Sequence, residues 1–199
     1  MADPIPDNPH HAAVLLIDVI NDFDFSEADS LLEQAIPAAE AIRRLRTGAQ
    51  KLGIPVVYVN DNFGLWHSER AKIVEHCRRP ESHGRAVVDL LAPEPNDYFV
   101  IKPRHSGFYA TNLPVLLPHL KARRLVLTGF ATDICVLFTA NDAYMRNYAL
   151  WVPEDCTAAS TSERTREAIQ LMGKVVKAET RATGVLALAD WLREAPDEF

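Results

Sequence analysis

Three apolar runs in this chain end in groups that can do chemistry. AAVLLID, residues 12–18, delivers Asp18, and DYFVIK, residues 97–102, delivers Lys102. LVLTGFATDIC, residues 125–135, sets Cys135 a few residues beyond a strand, where a helix should begin. A cysteine attacks as its thiolate, and a helix N-terminus or a nearby cation lowers the thiol pKa from about 8.5 to between roughly 3.5 and 7.5. Cys135 has both candidates, its own helix and Lys102, so iodoacetamide should alkylate it well below about pH 8. Asp18 can take the thiol proton and later hand it to a leaving amine, the two tasks of general acid–base catalysis. The backbone N–H groups of Ala131 and Cys135, at the same turn, are candidate oxyanion donors for acyl transfer.

Groups this far apart in sequence meet only if strands carry them to one place. Open parallel α/β sheets line up the carboxyl ends of their strands along one edge, where ligand crevices form. The pattern predicts such strands at 12–17, 54–60, 97–102, 124–130 and 149–156, with a short one around 175–178. Helices are predicted at 31–52, interrupted by Pro37 and stopped by Gly53, and at 68–79, opened by Ser68. A Pro- and Gly-containing stretch follows, up to residue 96. Further helices are expected within 111–123, interrupted by proline, at 133–147, from Ser162 to Lys174, and at 184–193. Strands alternating with helices over the whole length predict a single domain, 1–199, with residues 1–11 as a flexible tail. The fold class is three-layer α/β/α with a mostly parallel, Rossmann-like sheet.

Composition narrows the function classes. With 199 residues, one domain buries about 70% of the surface its unfolded chain exposes and needs no covalent staples. Cys77, Cys135 and Cys156 are too few and too scattered for a disulfide framework or a zinc ribbon, which points to a reducing, cytoplasmic setting. A net charge of −6 with dispersed Lys and Arg leaves no footprint for nucleic acid. RRLR at 43–46 is the single basic cluster and reads as a solvated helix face. The N-terminal residues lack the charged-then-apolar order of a signal peptide, and no run is long enough to span a membrane. GxGxxG and GxxxxGK[ST] are absent, so dinucleotide and P-loop chemistry lack their phosphate cradle. Phosphotransfer is disfavoured by order: a receiver needs its acceptor Asp on a middle strand, and a DxD phosphatase would put its second acid at Ile20. A non-catalytic ligand-binding α/β module, with Cys135 merely packed, stays open, and slow alkylation would favour it.

The blocks LLIDVINDF, IKPRHSGFYATNL and LVLTGFATDICVLFTANDA, in that order, resemble the isochorismatase-like cysteine hydrolases, a family that includes nicotinamidases and N-carbamoyl amidases. The most specific block carries GxxTxxC as Gly129, Thr132 and Cys135, and the likeness runs from about residue 12 to 178. The resemblance implies a catalytic triad of Asp18, Lys102 and Cys135 and a cis peptide between Phe130 and Ala131 that turns amides toward the substrate oxygen. It implies attack on a C–N carbonyl of a small molecule, an acyl-enzyme, and hydrolysis by water. It also implies self-association into a homo-oligomer. Phe23, Trp66, Phe108 and Tyr109, with Thr132, are expected to contact substrate. His105 and Ser106 either line the pocket or serve their loop.

Departures from relatives refine this. Metal-dependent nicotinamidases carry a pattern like DWHPxxHxSF after the second strand, whereas NDNFGLWHSER keeps only His67 of those histidines. No metal and no other cofactor is therefore expected. The cysteine favours amide chemistry over the vinyl-ether hydrolysis of isochorismatases that lack it, which remains the alternative. Ile20 stands where many relatives carry Gln. Asp22 and Asp24 read as solvated loop acids, Cys77 and Cys156 as packing residues. Loops 61–68 and 103–111 would set specificity.

Overall fold

The computed structural model describes residues 7–66 and 69–194. Strands β1 (Ala12–Ile17), β2 (Val56–Asp61), β3 (Tyr98–Lys102), β4 (Arg124–Phe130) and β5 (Ala149–Trp151) lie in the order β3-β2-β1-β4-β5, and β6 (Thr157–Ala158) pairs with β4. Every pairing is parallel. The continuous apolar runs follow from burial on both faces. Ala12, Val14 and Leu16 face one core, whereas Ala13, Leu15 and Ile17 face the other. Helices α1 (Ala28–Lys51), α2 (Arg70–Cys77), α3 (Arg85–Leu91) and α7 (Leu188–Glu194) cover the first face. Helices α4 (Leu113–His119), α5 (Leu137–Tyr144) and α6 (Ser162–Val175) cover the second. The fold is three-layer α/β/α, as the alternation predicts.

The strand order positions the site. From β1 the chain steps to β2 and β3 on one side, then returns to place β4 on the other side of β1. The crevice between β1 and β4 is thus the topological switch point, where open α/β sheets bind ligands. Gly129 lets the two strand ends approach. Its φ is +109°, and a Cβ there would lie 2.0 Å from the carbonyl oxygen of Ile17. Gly129→Ala combines a disfavoured backbone with a backbone clash and is expected to cost about 2–6 kcal/mol. Thermal melting should fall by roughly 5–20 °C; an unchanged Tm would mean that the two strands do not meet this closely.

Several elements depart from expectation, each for a local reason. Helix α1 starts at Ala28, so Pro37 lies inside it, and it ends at Lys51, capped by Leu52 with Gly53 left-handed at φ +69°. Helix α3 occupies a stretch read as irregular, because Val87, Val88 and Leu91 bury one short face between turn-forming flanks. The fifth strand stops at Trp151; Pro153 leads into a 3-10 turn, Glu154–Cys156, before β6. In place of a strand at 175–178, α6 runs to Val175, and a lone bridge joins Glu179 to Trp151. Ser68, the expected cap of α2, lies outside the described residues.

Two surface assignments are corrected. Residues 7–11, expected within a flexible tail, are fastened: buried Asn8 donates its amide to the carbonyls of Ala12 (2.9 Å) and Leu120 (2.8 Å). Arg46, read with the solvated RRLR face, is buried and donates to the Tyr58 hydroxyl at 2.7 Å and the Ala92 carbonyl at 2.9 Å. No helix among the described residues is long and apolar enough to cross a membrane.

Candidate active site

Asp18, Lys102 and Cys135 meet at the carboxyl edge of the sheet. β1 delivers Asp18, whose backbone turns left-handed at φ 53° just past the strand, a conformation that Asp tolerates better than most residues. β3 delivers Lys102, fully buried. Cys135 sits on the π-helical turn Thr132–Val136 that follows β4. The Lys102 ammonium lies 2.8 Å from Asp18 Oδ2 and 3.5 Å from Cys135 Sγ. Asp18 and Cys135 are thus two acidic neighbours of one buried ammonium.

A fourth group, Asp61, completes the cluster. Its backbone N–H donates to Asp18 Oδ1 at 2.7 Å, and its Oδ2 lies 3.5 Å from the Lys102 ammonium. The sequence reading passed over it because the predicted strand ended at Asn60; the signal was an Asp one residue beyond. Asn60 has its own task. Its buried side chain accepts from Ile20 N (3.0 Å) and donates to Ile20 O (2.8 Å), fixing the loop after Asp18. Ile20 is itself fully buried.

The electrostatics of the cluster follow from burial working against pairing. Burial pushes the Asp18 carboxyl above its ordinary value, although Lys102 pulls it down. Against the lowering effect of its burial, the Asp18 carboxylate first of all holds Lys102 protonated, raised to about 12. Burial first, and the Asp18 carboxylate second, push the Cys135 thiol up, outweighing the ammonium. This runs against the expectation of a thiol acidified by helix and cation, and slow alkylation at neutral pH no longer separates a catalytic Cys135 from a packed one. The resting state is a thiol that shares the buried ammonium with a carboxylate of raised basicity. Moving one proton from sulfur to Asp18 only shifts the negative charge between two neighbours of the same buried ammonium.

The sign of the thiol shift sets an alkylation profile. A pKa raised above the ordinary thiol value leaves little thiolate at neutral pH, so the iodoacetamide rate at Cys135 should still be rising at about pH 9. A rate that levels off below about pH 8 would restore the acidified thiol. Cys77, pushed up to about 12 by burial, and buried Cys156, raised likewise, should stay unreactive.

The loop neighbours are placed as follows. The Phe130–Ala131 peptide is cis. Thr132 is fully buried, and its hydroxyl has no hydrogen-bond partner among the described residues. Phe23, expected to wall the substrate, is 1% exposed and packs against Phe25 and Phe130 in the core. Phe108 is likewise buried, against Tyr148 and beneath the Arg146 guanidinium, 4.7 Å from its ring centroid. Both are packing residues, Phe23 of the first core and Phe108 of the second. Trp66 and Tyr109 are exposed on the loops after β2 and β3. Asp22, expected to be solvated, is instead bonded to His76, 2.7 Å from its Nε2.

No group of three or more His, Cys, Asp and Glu among the described residues is arranged to hold a metal ion. Asp61 is engaged by Lys102 and by the Phe63 amide. His67 lies outside the described residues.

Comparison with known proteins agrees with this architecture. YaaI of Bacillus subtilis strain 168, an isochorismatase family protein, is 40% identical over 167 residues, covering 84% of this chain and 91% of that one. The ureidoacrylate amidohydrolase RutB of Methylorubrum extorquens strain DM4 is 37% identical over 142 residues, 61% of this chain and 57% of its own length. The crystal structure of N-carbamoylsarcosine amidase from Thermoplasma acidophilum superimposes with a TM-score of 0.68 at 28% identity, covering 88% of this chain and 98% of that one. The isochorismatase domain model matches residues 12–183, which span all the strands and every group of the buried cluster. The chain therefore belongs to the isochorismatase family of hydrolases.

Proposed function

We propose that the protein is a cysteine hydrolase that cleaves an amide-type C–N bond of a small molecule through a thioester acyl-enzyme, with Asp18, Lys102 and Cys135 as its catalytic triad. The observation that carries this reading is the single buried ammonium, 2.8 Å from Asp18 and 3.5 Å from Cys135. Asp18 takes the thiol proton as sulfur attacks the carbonyl, and Lys102 stays beside whichever of the two carries the negative charge. The tetrahedral oxyanion is received by the N–H groups of Ala131 and Cys135, donors worth about 3–4 kcal/mol each in such sites. The C–N bond breaks, the amine or ammonia leaves, and water releases the acid. The unpartnered Thr132 hydroxyl and the exposed Trp66 and Tyr109 of the neighbouring loops supply substrate contacts. The names of two relatives, an amidohydrolase of a ureido compound and an amidase of a carbamoyl compound, support C–N chemistry.

The chemistry is carried by protein groups alone. EDTA is expected to leave turnover unchanged; inhibition reversed by added zinc or manganese would bring back a metal-dependent route. We also propose a cytoplasmic homo-oligomer that engages neither nucleic acid nor membrane, consistent with three free cysteines and an acidic chain. The covalent step is tested by adding hydroxylamine during turnover of a responding amide. Interception of a thioester gives the hydroxamate, with Cys135→Ala giving none; wild type yielding free acid only would favour direct attack by water.

A further inference from the structure

The buried cluster accounts for the thiol proton but leaves the leaving nitrogen and the attacking water without a partner on the open side of the sulfur. Asp18 is 6% exposed. One of its oxygens accepts from the Asp61 N–H at 2.7 Å and the other faces Lys102 at 2.8 Å. It is therefore buried and engaged through both oxygens, whereas substrate and water reach the sulfur from solvent. His105 is exposed to solvent, with Nδ1 4.0 Å from Cys135 Sγ.

The position of His105 is built rather than incidental. Its ring rests on Phe138 of α5, centroids 5.6 Å apart. The residues after it are tied to the same helix: the Ser106 hydroxyl donates to Asp142 at 2.5 Å and the Gly107 N–H to the Thr139 hydroxyl at 3.0 Å. Thr139 in turn donates to the Cys135 carbonyl at 2.7 Å, so the loop that carries the imidazole and the turn that carries the thiol share one anchor. Catalytic hydrogen bonds in unliganded enzymes are often long and tighten with substrate.

We propose that His105 is a further catalytic residue, the acid that protonates the leaving nitrogen and the base that then activates water, while Asp18 serves the sulfur alone. This rests on the acyl-enzyme reading above. In acylation the thiol proton passes to Asp18 as the S–C bond forms. The imidazolium of His105 gives its proton to the nitrogen as the C–N bond breaks, and the amine departs. In deacylation neutral His105 takes a proton from water as its oxygen bonds to the acyl carbon. The C–S bond then breaks, and sulfur recovers the proton held by Asp18. Both residues return to their starting states, and the sum is amide plus water giving acid plus amine.

The division of labour is separable with p-nitrophenyl acetate, whose phenolate leaves without needing a proton. Stopped-flow release of p-nitrophenolate by His105→Gln and His105→Ala should keep the first, acylating phase within about threefold of wild type. The steady-state rate should fall by about 10²-fold, the usual scale for losing a general base. Acetyl-Cys135 should accumulate in quenched samples, and added imidazole should restore part of the steady state in His105→Ala. Unchanged steady-state turnover would overturn the proposal. So would an equal fall in both phases, which would place His105 in the attack by sulfur instead. If wild type forms no acetyl-Cys135, the acyl-enzyme reading itself fails, before any His105 variant is compared.

Discussion

Cys135→Ala and Cys135→Ser are each expected to lower turnover by roughly 10⁴-fold or more, the scale on which removal of a catalytic nucleophile acts. Serine is no rescue. Its hydroxyl is far less acidic than a thiol, and the carboxylate available to it is sized and placed for a proton leaving a sulfur atom. The fold should hardly notice either change, because Cys135 is only partly buried and its backbone contacts belong to the turn rather than to the side chain. Thermal melting within a few degrees of wild type, alongside lost activity, is the expected pair of results. Substantial activity in both variants would return Cys135 to a packing role.

Asp18→Asn should separate stability from catalysis. Loss of the base is expected to cost about 10²–10⁴-fold in activity. It also strips the fully buried Lys102 of its nearest anion, leaving Asp61 at 3.5 Å as its remaining carboxylate. Breaking one side of a buried pair costs about 3–5 kcal/mol, whereas replacing both sides with uncharged groups of similar size costs much less. The double variant Asp18→Asn with Lys102→Met should therefore melt above Asp18→Asn alone while remaining inactive. Calorimetry on the wild type, Asp18→Asn, Lys102→Met and the double variant completes the cycle. A double variant no more stable than the single would mean that the pair does not carry this burial cost, and an activity loss under tenfold would mean that another base serves the thiol.

The parts legible in the sequence were those that depend on pattern. Apolar runs at 12–17 and 124–130 identify strands buried on both faces, and such strands in a parallel sheet bring Asp18, Lys102 and Cys135 to one edge wherever the helices lie. The direction of the thiol shift was not legible. A helix start and a lysine can be read from residue types, but the burial that outweighs them is a property of the packed site. Phe23 and Phe108 show the same limit from the other side. An aromatic residue on a site loop reads alike whether it faces the ligand or the core, and here both face the core. Asp61 escaped notice because strand ends are read only to within a residue or two, and this strand continued one residue past Asn60. His105 carried no motif of its own; its significance comes from the approach of α5, which no spacing announces.

The most direct test of the central claim is product release from a panel of simple amides, N-carbamoyl compounds and isochorismate, comparing wild type with Cys135→Ala and following ammonia, amine or acid. Release of ammonia or amine by wild type and none by the variant is the predicted result, with the responding members naming the substrate class. Equal release by both proteins, or cleavage of isochorismate alone, would contradict a thiol that breaks C–N bonds.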